Sequence, residues 1–266
     1  MPGPEPYEIY AVKYAHHHRL AGENFIGGDP HNGPMPLDYF VWAIVGNGKT
    51  WVLDTGFTAP IAQKRQRQHL RSPGEGLKAL GIDPGQVEDV IISHMHYDHC
   101  GNHDLFPNAR YHVQEKEMQY VTGRCMCHDW LRHSFEEEDV SAMVHRLFTG
   151  RLSFHDGDEE IAPGLSVHFI GGHTMGLQSL RVWTRRGWVV LASDAAHFYA
   201  HMEQSRPFVA VYNVADMLEG HHRLKRLASS PAHVVPGHDP LVMERYPAAR
   251  PGLEGIAVRL DADPRG

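Results

Sequence analysis

The sequence predicts an α/β fold, and two β-sheets packed face to face with helices outside would suit its pattern. Two observations favour it. Short apolar runs rich in β-branched residues, typical of strands, form two groups along the chain, and segments with helical character accompany each group. No short-period repeat and no low-complexity linker interrupts the sequence, so we expect a single domain over 1–266. Periodicity alone does not choose this arrangement over another α/β fold.

The N-terminal half contains the first group of strands. Residues 7–15 indicate a strand, and residues 16–36, rich in Gly, Pro, Asn and His, indicate a long loop. Strands at 39–45 and 51–53 flank Gly46-Asn47-Gly48-Lys49, a hairpin signal. The other elements predicted here are a helix over 60–80 that ends at Gly81, a buried strand over 87–93, a strand over 108–113 and a helix over 114–121.

Segment 123–150 is predicted to be helical but mixed in character. Its large apolar residues are Met126, Trp130, Leu131, Phe135, Met143 and Phe148. They suit a helical hairpin that buries its own apolar face or contacts a second copy in a homodimer. They equally suit a lid over a functional site. The sequence leaves these alternatives open.

The C-terminal half contains the second group of strands. The expected elements are strands near 151–155, 165–170, 178–184 and 187–192, a helix over about 213–228, a strand over 232–235 and a mostly irregular tail.

Charge and hydropathy narrow the classes of partner. The formal net charge is −7, whereas nucleic acids and anionic membranes favour a basic surface, so we expect neither as the main partner. The one basic run, 64–71, is interpreted as a solvated helix face. The longest apolar stretch, 39–45, is too short to span a bilayer, and residues 1–6 lack a signal-peptide pattern. We therefore expect a soluble cytoplasmic protein.

Histidine is the unusual component of the composition, with 22 residues of 266. Because histidine is the commonest metal ligand, this points to metal chemistry. Four ligand-type residues, His94, His96, Asp98 and His99, follow directly after the apolar strand 87–93. Such spacing cannot place them on one helix face, but on a tight loop after a strand they can converge.

Three more ligand-type residues each follow an apolar strand. His173 follows the run 167–170, Asp194 follows 188–192 and His238 follows 234–236. Metal and catalytic residues commonly lie on loops at strand ends, where the sheet behind them holds them in place.

In this order, the motifs HxHxDH (94–99), GGHT (171–174), SDA (193–195) and PGHD (236–239) resemble those of the metallo-β-lactamase superfamily. The resemblance covers about residues 54–238. It implies an αββα sandwich, with two mixed β-sheets packed face to face and the site at one edge. It further implies that His94, His96 and His173 hold a first metal, that Asp98, His99 and His238 hold a second, and that Asp194 bridges both. Asp54, at the family's DTG position, is expected to orient a ligand.

This ligand set suits hydrolysis of a small molecule. The resemblance implies two divalent ions per chain, and five imidazoles and two carboxylates suit zinc first, with Fe, Mn or Co as alternatives. Two such ions about 3.5–4 Å apart can share a water and generate hydroxide near neutral pH. We expect this bridging hydroxide to attack a carbonyl carbon, and Asp98 to pass a proton to the leaving group.

Residues 172–180, GHTMGLQSL, resemble the GHTxGxQSL stretch of N-acyl-homoserine-lactonase-like enzymes. This resemblance implies a lactonase and, with it, a role in quorum quenching. Hydrolysis of another ester, amide or phosphoester at the same site is the alternative. A metal-bound sensor without turnover is the third hypothesis, and the intact set of seven ligands argues against it.

One position departs from that branch. Many of these lactonases place a tyrosine three residues after the bridging aspartate, where it can bond the substrate carbonyl, and here that residue is His197. A neutral imidazole can also donate one hydrogen bond, so we predict that His197 faces the metals and steadies the carbonyl. The alternative is that His197 packs or faces solvent, and that Tyr199 or Tyr212 reaches the pocket.

Overall fold

The computed structural model describes residues 4–265, which form strands, α-helices and short 3-10 turns. The strands, β1 to β13 in chain order, are Glu8–His17, Leu37–Gly46, Lys49–Leu53, Gln68–His69, Asp89–Ile91, Arg110–Gln114, Leu152–His155, Glu159–Ala162, Leu165–Phe169, Gln178–Thr184, Gly187–Ser193, Val234–Pro236 and Ala257–Arg259. The helices, α1 to α9, are Ala59–Lys64, Pro73–Ala79, Tyr97–Cys100, Glu115–Val121, Asp129–Arg132, Glu137–Phe148, Tyr199–Gln204, Val214–Leu227 and Leu241–Arg245.

Two mixed sheets form the centre of the fold. The first has the order β13-β1-β2-β3-β5-β6-β7, with β4 paired to β1, and its neighbours from β3 to β7 are parallel. The second has the order β12-β11-β10-β9-β8, and only its β11–β12 pair is parallel. The predicted αββα sandwich of two mixed sheets is confirmed.

Successive side chains of β2 alternate between the core that separates the two sheets and the core beneath the outer helices. Phe40, Trp42 and Ile44 join a core cluster with residues of β9, β10 and β11, so they lie between the sheets. The intervening Tyr39, Val41 and Ala43 join a second cluster with residues of α2, α4 and α6. Successive side chains of a strand point to opposite faces, so β2 contributes to both cores and is buried on both sides.

The single helix predicted over 60–80 is wrong. The chain instead forms α1, a two-residue strand β4 and then α2. Gln66 adopts a left-handed φ of 56°, which ends the first helix. Ser72 then caps α2 with Pro73 in its first turn, a position that starts a helix and cannot continue one. The basic run 64–71 is therefore not a helix face.

The tail after β12 is mostly irregular, as predicted, but it contains two short regular elements. Residues 241–245 form α9, and β13 pairs antiparallel with β1 at the edge of the first sheet, Ala257 opposite Val12. Strand β8 and helices α3 and α7 are further elements that the sequence pattern did not indicate. Within residues 4–265, no helix combines the length and apolar character needed to cross a membrane.

Candidate metal centre

The loops that carry the predicted ligands meet at one edge of the sandwich. Strands β9 and β11 are both antiparallel to β10, and β12 is parallel to β11, so β9, β11 and β12 all end at the same edge. The loop after β5 of the first sheet, residues 92–99, faces them across the sandwich. This topology brings residues from distant parts of the chain into one cluster.

Buried side chains form three overlapping groups whose ligand atoms lie within 4.8 Å of one another in each group. The groups are His94, His96, His173 and Asp194; Asp98, His99 and His238; and Asp194, His197 and His238. All seven predicted metal ligands are thus brought together, and His197 lies among them.

Asp194 lies between the first two groups. Its Oδ2 is 3.2 Å from His173 Nε2 and 3.7 Å from His94 Nε2. Its Oδ1 is 3.3 Å from His99 Nε2 and 2.9 Å from His238 Nε2. Ligand atoms about 2.0–2.1 Å from a tetrahedral zinc ion lie about 3.3–3.4 Å apart, so these separations are close to those of metal ligands. One carboxylate oxygen therefore faces each group.

Unsatisfied atoms support the fit of these residues to a cation. His94 Nε2, His99 Nε2 and Asp194 Oδ1 are buried without a hydrogen-bond partner of good geometry among the described residues. Such buried polar atoms are rare and costly in folded proteins. Divalent ions would satisfy all three, and imidazole nitrogens with carboxylate oxygens are the donor atoms that zinc accepts.

The charge states of His94, His96 and Asp98 also suit metal binding, whereas at His99 and His238 burial lowers the pKa but nearby carboxylates, Asp194 first, outweigh it and raise it. Burial and then neighbouring histidines hold the pKa of His94 and of His96 well below the usual value, which keeps both imidazoles neutral. Burial acts to raise the pKa of Asp98, but the nearby His99 and His238 outweigh it and lower that pKa. Neutral imidazoles and ionised carboxylates are the forms that bind metals.

Hydrogen bonds behind the ligands fix which ring nitrogen faces the centre. His238 Nδ1 lies 2.8 Å from the carbonyl oxygen of Asp38, and His173 Nδ1 lies 2.7 Å from that of Ala210. A carbonyl only accepts, so each Nδ1 carries the proton and each Nε2 is left free as a ligand atom.

Asp54 orients His99, as the family resemblance implied. Its Oδ2 accepts from His99 Nδ1 at 2.7 Å, and Ser93 donates its backbone N–H to Oδ1 at 2.7 Å and its hydroxyl to Oδ2 at 2.8 Å. Asp54 has a left-handed φ of 62°, at the turn that directs its side chain under the centre.

Glu117 is a positioning residue that the sequence did not reveal. Its buried carboxylate accepts from Met95 N at 2.9 Å, Thr174 Oγ1 at 2.7 Å and Gly176 N at 3.0 Å. Burial raises its pKa above the usual value, while these three donors act in the opposite direction. One side chain thereby joins the loop that carries His94 and His96 to the loop that carries His173.

Two motif glycines are required by close packing. A Cβ at Gly176 would lie 2.0 Å from the backbone nitrogen of Glu117, and one at Gly172 would lie 2.5 Å from that of Met217. Gly172 also has a left-handed φ of 84°. No larger side chain fits at either position without backbone movement, which explains both glycines in physical terms.

His197 faces the cluster and is 3% exposed, so it does not point to solvent. Its Nε2 lies 3.0 Å from Asp194 Oδ2, and its ring stacks on Phe208 with centroids 3.5 Å apart. Tyr199 is buried elsewhere, beneath Arg245. Tyr212 lines a cavity next to the cluster.

Two adjoining cavities open onto the cluster. The first, about 320 Å³, is lined by predicted metal ligands from both groups and by Arg19, Arg65, Arg67 and Tyr39. The second, about 470 Å³, is mainly apolar. Its walls include Tyr120, Trp130, Leu131, Val209, Val211 and Tyr212. His96, His173 and residues 133–134 line both cavities, so the two are neighbours beside the centre.

Segment 123–150 contributes part of this wall. His133 and Ser134 line both cavities, and the Phe135 ring lies 4.6 Å from that of His96. Trp130 and Phe148 are 83% and 85% exposed, whereas Met143 is fully buried. The segment therefore borders the centre in this structure, and its function as a lid or a dimer contact stays a prediction.

Comparison with known proteins agrees with the geometry. The sequence profile of the metallo-β-lactamase superfamily matches residues 35–238. The N-acyl homoserine lactonase AttM of Azorhizobium caulinodans is 34% identical over 175 residues, 62% of each chain. AiiA, an N-acyl homoserine lactonase of Bacillus thuringiensis subsp. kurstaki, is 29% identical over 61% of this chain and 60% of its own. The matches thus span about three fifths of these curated relatives.

Solved structures share the fold. A quorum-quenching N-acyl homoserine lactone lactonase has a TM-score of 0.75 and 21% identity, over 90% of this chain and 95% of its own. An N-acyl homoserine lactone hydrolase with the product N-hexanoyl-L-homoserine at its catalytic metal centre has a TM-score of 0.75 and 20% identity, over 91% and 96%.

Proposed function

This chain belongs to the metallo-β-lactamase superfamily, and from that premise we propose that it is a metal-dependent hydrolase that opens a lactone ring. The position of Asp194, with one oxygen toward each of two groups of buried ligands, is the observation that carries the proposal. Sequence likeness to AttM and AiiA, which are N-acyl homoserine lactonases, supports a lactone as the substrate.

The proposal assigns two divalent ions to the centre. Zinc is the preferred metal, and Fe, Mn and Co are the alternatives. His94, His96 and His173 would hold one, Asp98, His99 and His238 the other, and Asp194 both. When bound, such ions activate water and polarise an ester carbonyl as Lewis acids.

Asp98 is proposed as the proton carrier. Its Oδ2 faces His99 and His238, and its Oδ1 has no hydrogen-bond partner within residues 4–265. During ring opening, a water oxygen adds to the carbonyl carbon and the carbon–oxygen bond of the ring breaks. Asp98 Oδ1 would accept the proton that the water releases and deliver it to the ring oxygen, which leaves as an alcohol. The product is a hydroxy acid.

His197 is proposed to steady the carbonyl oxygen as negative charge develops on it. Burial is the main cause that holds the pKa of His197 well below the usual value, so the ring is neutral and has one N–H to donate. The stacked Phe208 fixes the ring plane, and Nε2 faces the centre 3.0 Å from Asp194 Oδ2; its N–H would be available to the carbonyl once metal ions hold that carboxylate. Donors that are held in place in this way stabilise a developing oxyanion without reorganising.

A panel of lactones with different ring sizes and acyl chains tests the function. We expect proton release, followed with a pH indicator, that requires added metal and disappears with chelator. Cleavage of a phosphodiester with no lactone opened would favour the alternative hydrolase. Absence of turnover on lactones, esters, amides and phosphoesters by fully metal-loaded protein would favour the sensor.

A further inference from the structure

Three arginines form part of the wall of the 320 Å³ cavity beside the predicted metal ligands, and two of them form no salt bridge among residues 4–265. We call Arg19 and Arg67 the arginine pair. Neither was singled out by the sequence, and Arg67 belongs to the basic run interpreted there as a solvated helix face. Both side chains are instead partly buried against the candidate centre.

Arg67 is anchored to the loop that carries the ligands. It follows the left-handed turn at Gln66, and its Nε donates to the hydroxyl of Tyr97 at 3.1 Å. Its Nη1 donates to the carbonyl of Arg65 at 2.6 Å. Because Tyr97 directly precedes Asp98, the guanidinium is held beside the half of the centre formed by Asp98, His99 and His238.

Arg19 lines the same cavity and lies against Phe208. Its guanidinium carbon lies 5.3 Å from the centroid of Phe208, the ring that stacks on His197. One nitrogen of the guanidinium donates to the carbonyl of Glu23. Its Nε is buried and has no hydrogen-bond partner in the described part of the chain.

The arginine pair has no carboxylate in direct contact; Glu23 acts on Arg19, and Asp98 on Arg67, only from beyond salt-bridge distance. No carboxylate among residues 4–265 lies within 4 Å of either guanidinium, whereas the neighbouring Arg65 is 2.8 Å from Glu136. Glu23, on the same wall, uses its Oε2 to accept the backbone N–H of Leu20 at 2.7 Å. The pair also acts on its surroundings: burial, then Arg67 and Arg19, lower the pKa of the adjacent His17 to about 4. Charges withdrawn from water in proteins are normally paired, so the missing partner points to a bound anion.

We propose that the substrate carries an anionic group, a carboxylate or a phosphate, apart from the bond that is cleaved, and that Arg19 and Arg67 bind this group. The proposal rests on the proposed hydrolase function and names its substrate class. The scissile ester would lie over the metal ligands, and an apolar part of the substrate would occupy the adjoining 470 Å³ cavity. Planar guanidinium groups suit carboxylate and phosphate oxygens alike. Arg19 and Arg67 together would therefore orient the substrate with its anionic end in the 320 Å³ cavity.

Three inhibitors of equal chain length test the arginine pair: pentanoate, glutarate and 4-phosphonobutyrate. Each offers one carboxylate to the metals, and only the last two offer a second anion. Inhibition constants are measured against hydrolysis of a neutral ester by the metal-loaded protein. We expect the dianions to inhibit about 10- to 100-fold more strongly than pentanoate, which is the range for a charge-assisted hydrogen bond. The stronger of the two dianions identifies the anion as carboxylate or phosphate.

Substitution of the arginines then locates the effect. In Arg67→Gln and in Arg19→Gln, the ratio of the inhibition constant of pentanoate to that of each dianion should fall toward one. Arg67→Lys should keep part of the preference for the dianions. Arg185→Gln removes an exposed guanidinium, 66% exposed, and serves as the control for net charge. Metal content and circular dichroism are compared for every variant, so that loss of the fold is recognised.

Equal inhibition by the three compounds in the unmodified protein would overturn the arginine proposal, and so would a preference that survives both glutamine variants. Titration calorimetry with the same compounds measures their binding without turnover. If no ester is hydrolysed but the dianions still bind more tightly, the proposed function fails and the anion site stands.

Discussion

Among single residues, Asp98 has the most demanding proposed role, because it would hold a metal and also move a proton. Asp98→Asn keeps the shape of the side chain but removes its charge and its basicity. We expect kcat to fall about 100-fold or more, the lower range for loss of a general acid–base group, with the fold intact. The metal content should also fall toward one ion per chain.

Asp263→Asn is the matched control for Asp98→Asn, because Asp263 is 91% exposed and distant from the centre. Turnover numbers, elemental analysis and circular dichroism would be recorded for both variants. Near-normal turnover in Asp98→Asn would place the proton transfer elsewhere.

His197 gives a second prediction at this scale. His197→Ala should lower kcat about 10²–10³-fold with full metal content, the usual effect of losing one oxyanion donor. Tyr199→Phe is the control, since Tyr199 packs beneath Arg245 away from both cavities. Tyr212→Phe tests the alternative donor. Unchanged kcat and KM in a fully metallated His197→Ala protein would remove this residue from the mechanism.

Residues with a local motif could be predicted, and residues defined by distant contacts could not. His94, His96, Asp98 and His99 are recognisable because they crowd into one loop after an apolar strand. Glu117 has no such signal, because its partners lie 22, 57 and 59 positions away and meet it only in the folded chain. The position of the arginine pair beside the centre could not be predicted for the same reason, because its contacts also form only in the folded chain.

At the scale of elements, the loop after β9 depends on the contact between Gly176 and Glu117. Gly176→Ala places a methyl group into the Glu117 backbone, and that backbone cannot move aside as a flexible side chain could. We expect a loss of about 1–3 kcal/mol in the free energy of unfolding, typical of overpacking. Because Glu117 joins two ligand loops, metal affinity should fall about 10- to 100-fold.

Gly33→Ala controls for Gly176→Ala, because a Cβ at Gly33 meets no atom within 4 Å. Chemical denaturation and metal titration of the two variants provide the comparison. If Gly176→Ala matches Gly33→Ala in both measurements, the packing argument is wrong.

Elements with strong periodicity were predicted well, and elements set by tertiary pairing were missed. The strands of the hairpin at 39–53 follow from apolar residues around Asn47-Gly48. In contrast, β13 has three residues and exists because β1 offers it a free edge. The helix predicted over 60–80 failed because the apolar periodicity concealed the turn at Gln66 and the new start at Ser72.

For the whole molecule, the candidate metal centre links the two sheets, because its charged and polar ligands come from loops of both. The loop after β5 belongs to the first sheet, and the loops that carry His173, Asp194 and His238 belong to the second. Without a cation, the unsatisfied Nε2 atoms of His94 and His99 and the unsatisfied Oδ1 of Asp194 oppose the closing of this edge. Metal binding should therefore stabilise the complete sandwich and not one loop alone.

Removal of the metal tests this coupling. An ion at 1,000 times its dissociation constant adds about 4 kcal/mol to the free energy of unfolding, and each kcal/mol shifts Tm by about 2–4 °C in a chain of this size. Chelator should therefore lower Tm by about 10 °C or more, and added zinc should restore it. Elemental analysis of protein purified without chelator should give two ions per chain. Because Asp98→Asn would hold one ion fewer, chelator should lower its Tm less than it lowers the Tm of the unmodified protein. A single equivalent that added zinc does not change would contradict the dinuclear proposal. An unchanged Tm would show that the two sheets close at this edge without help from the metal.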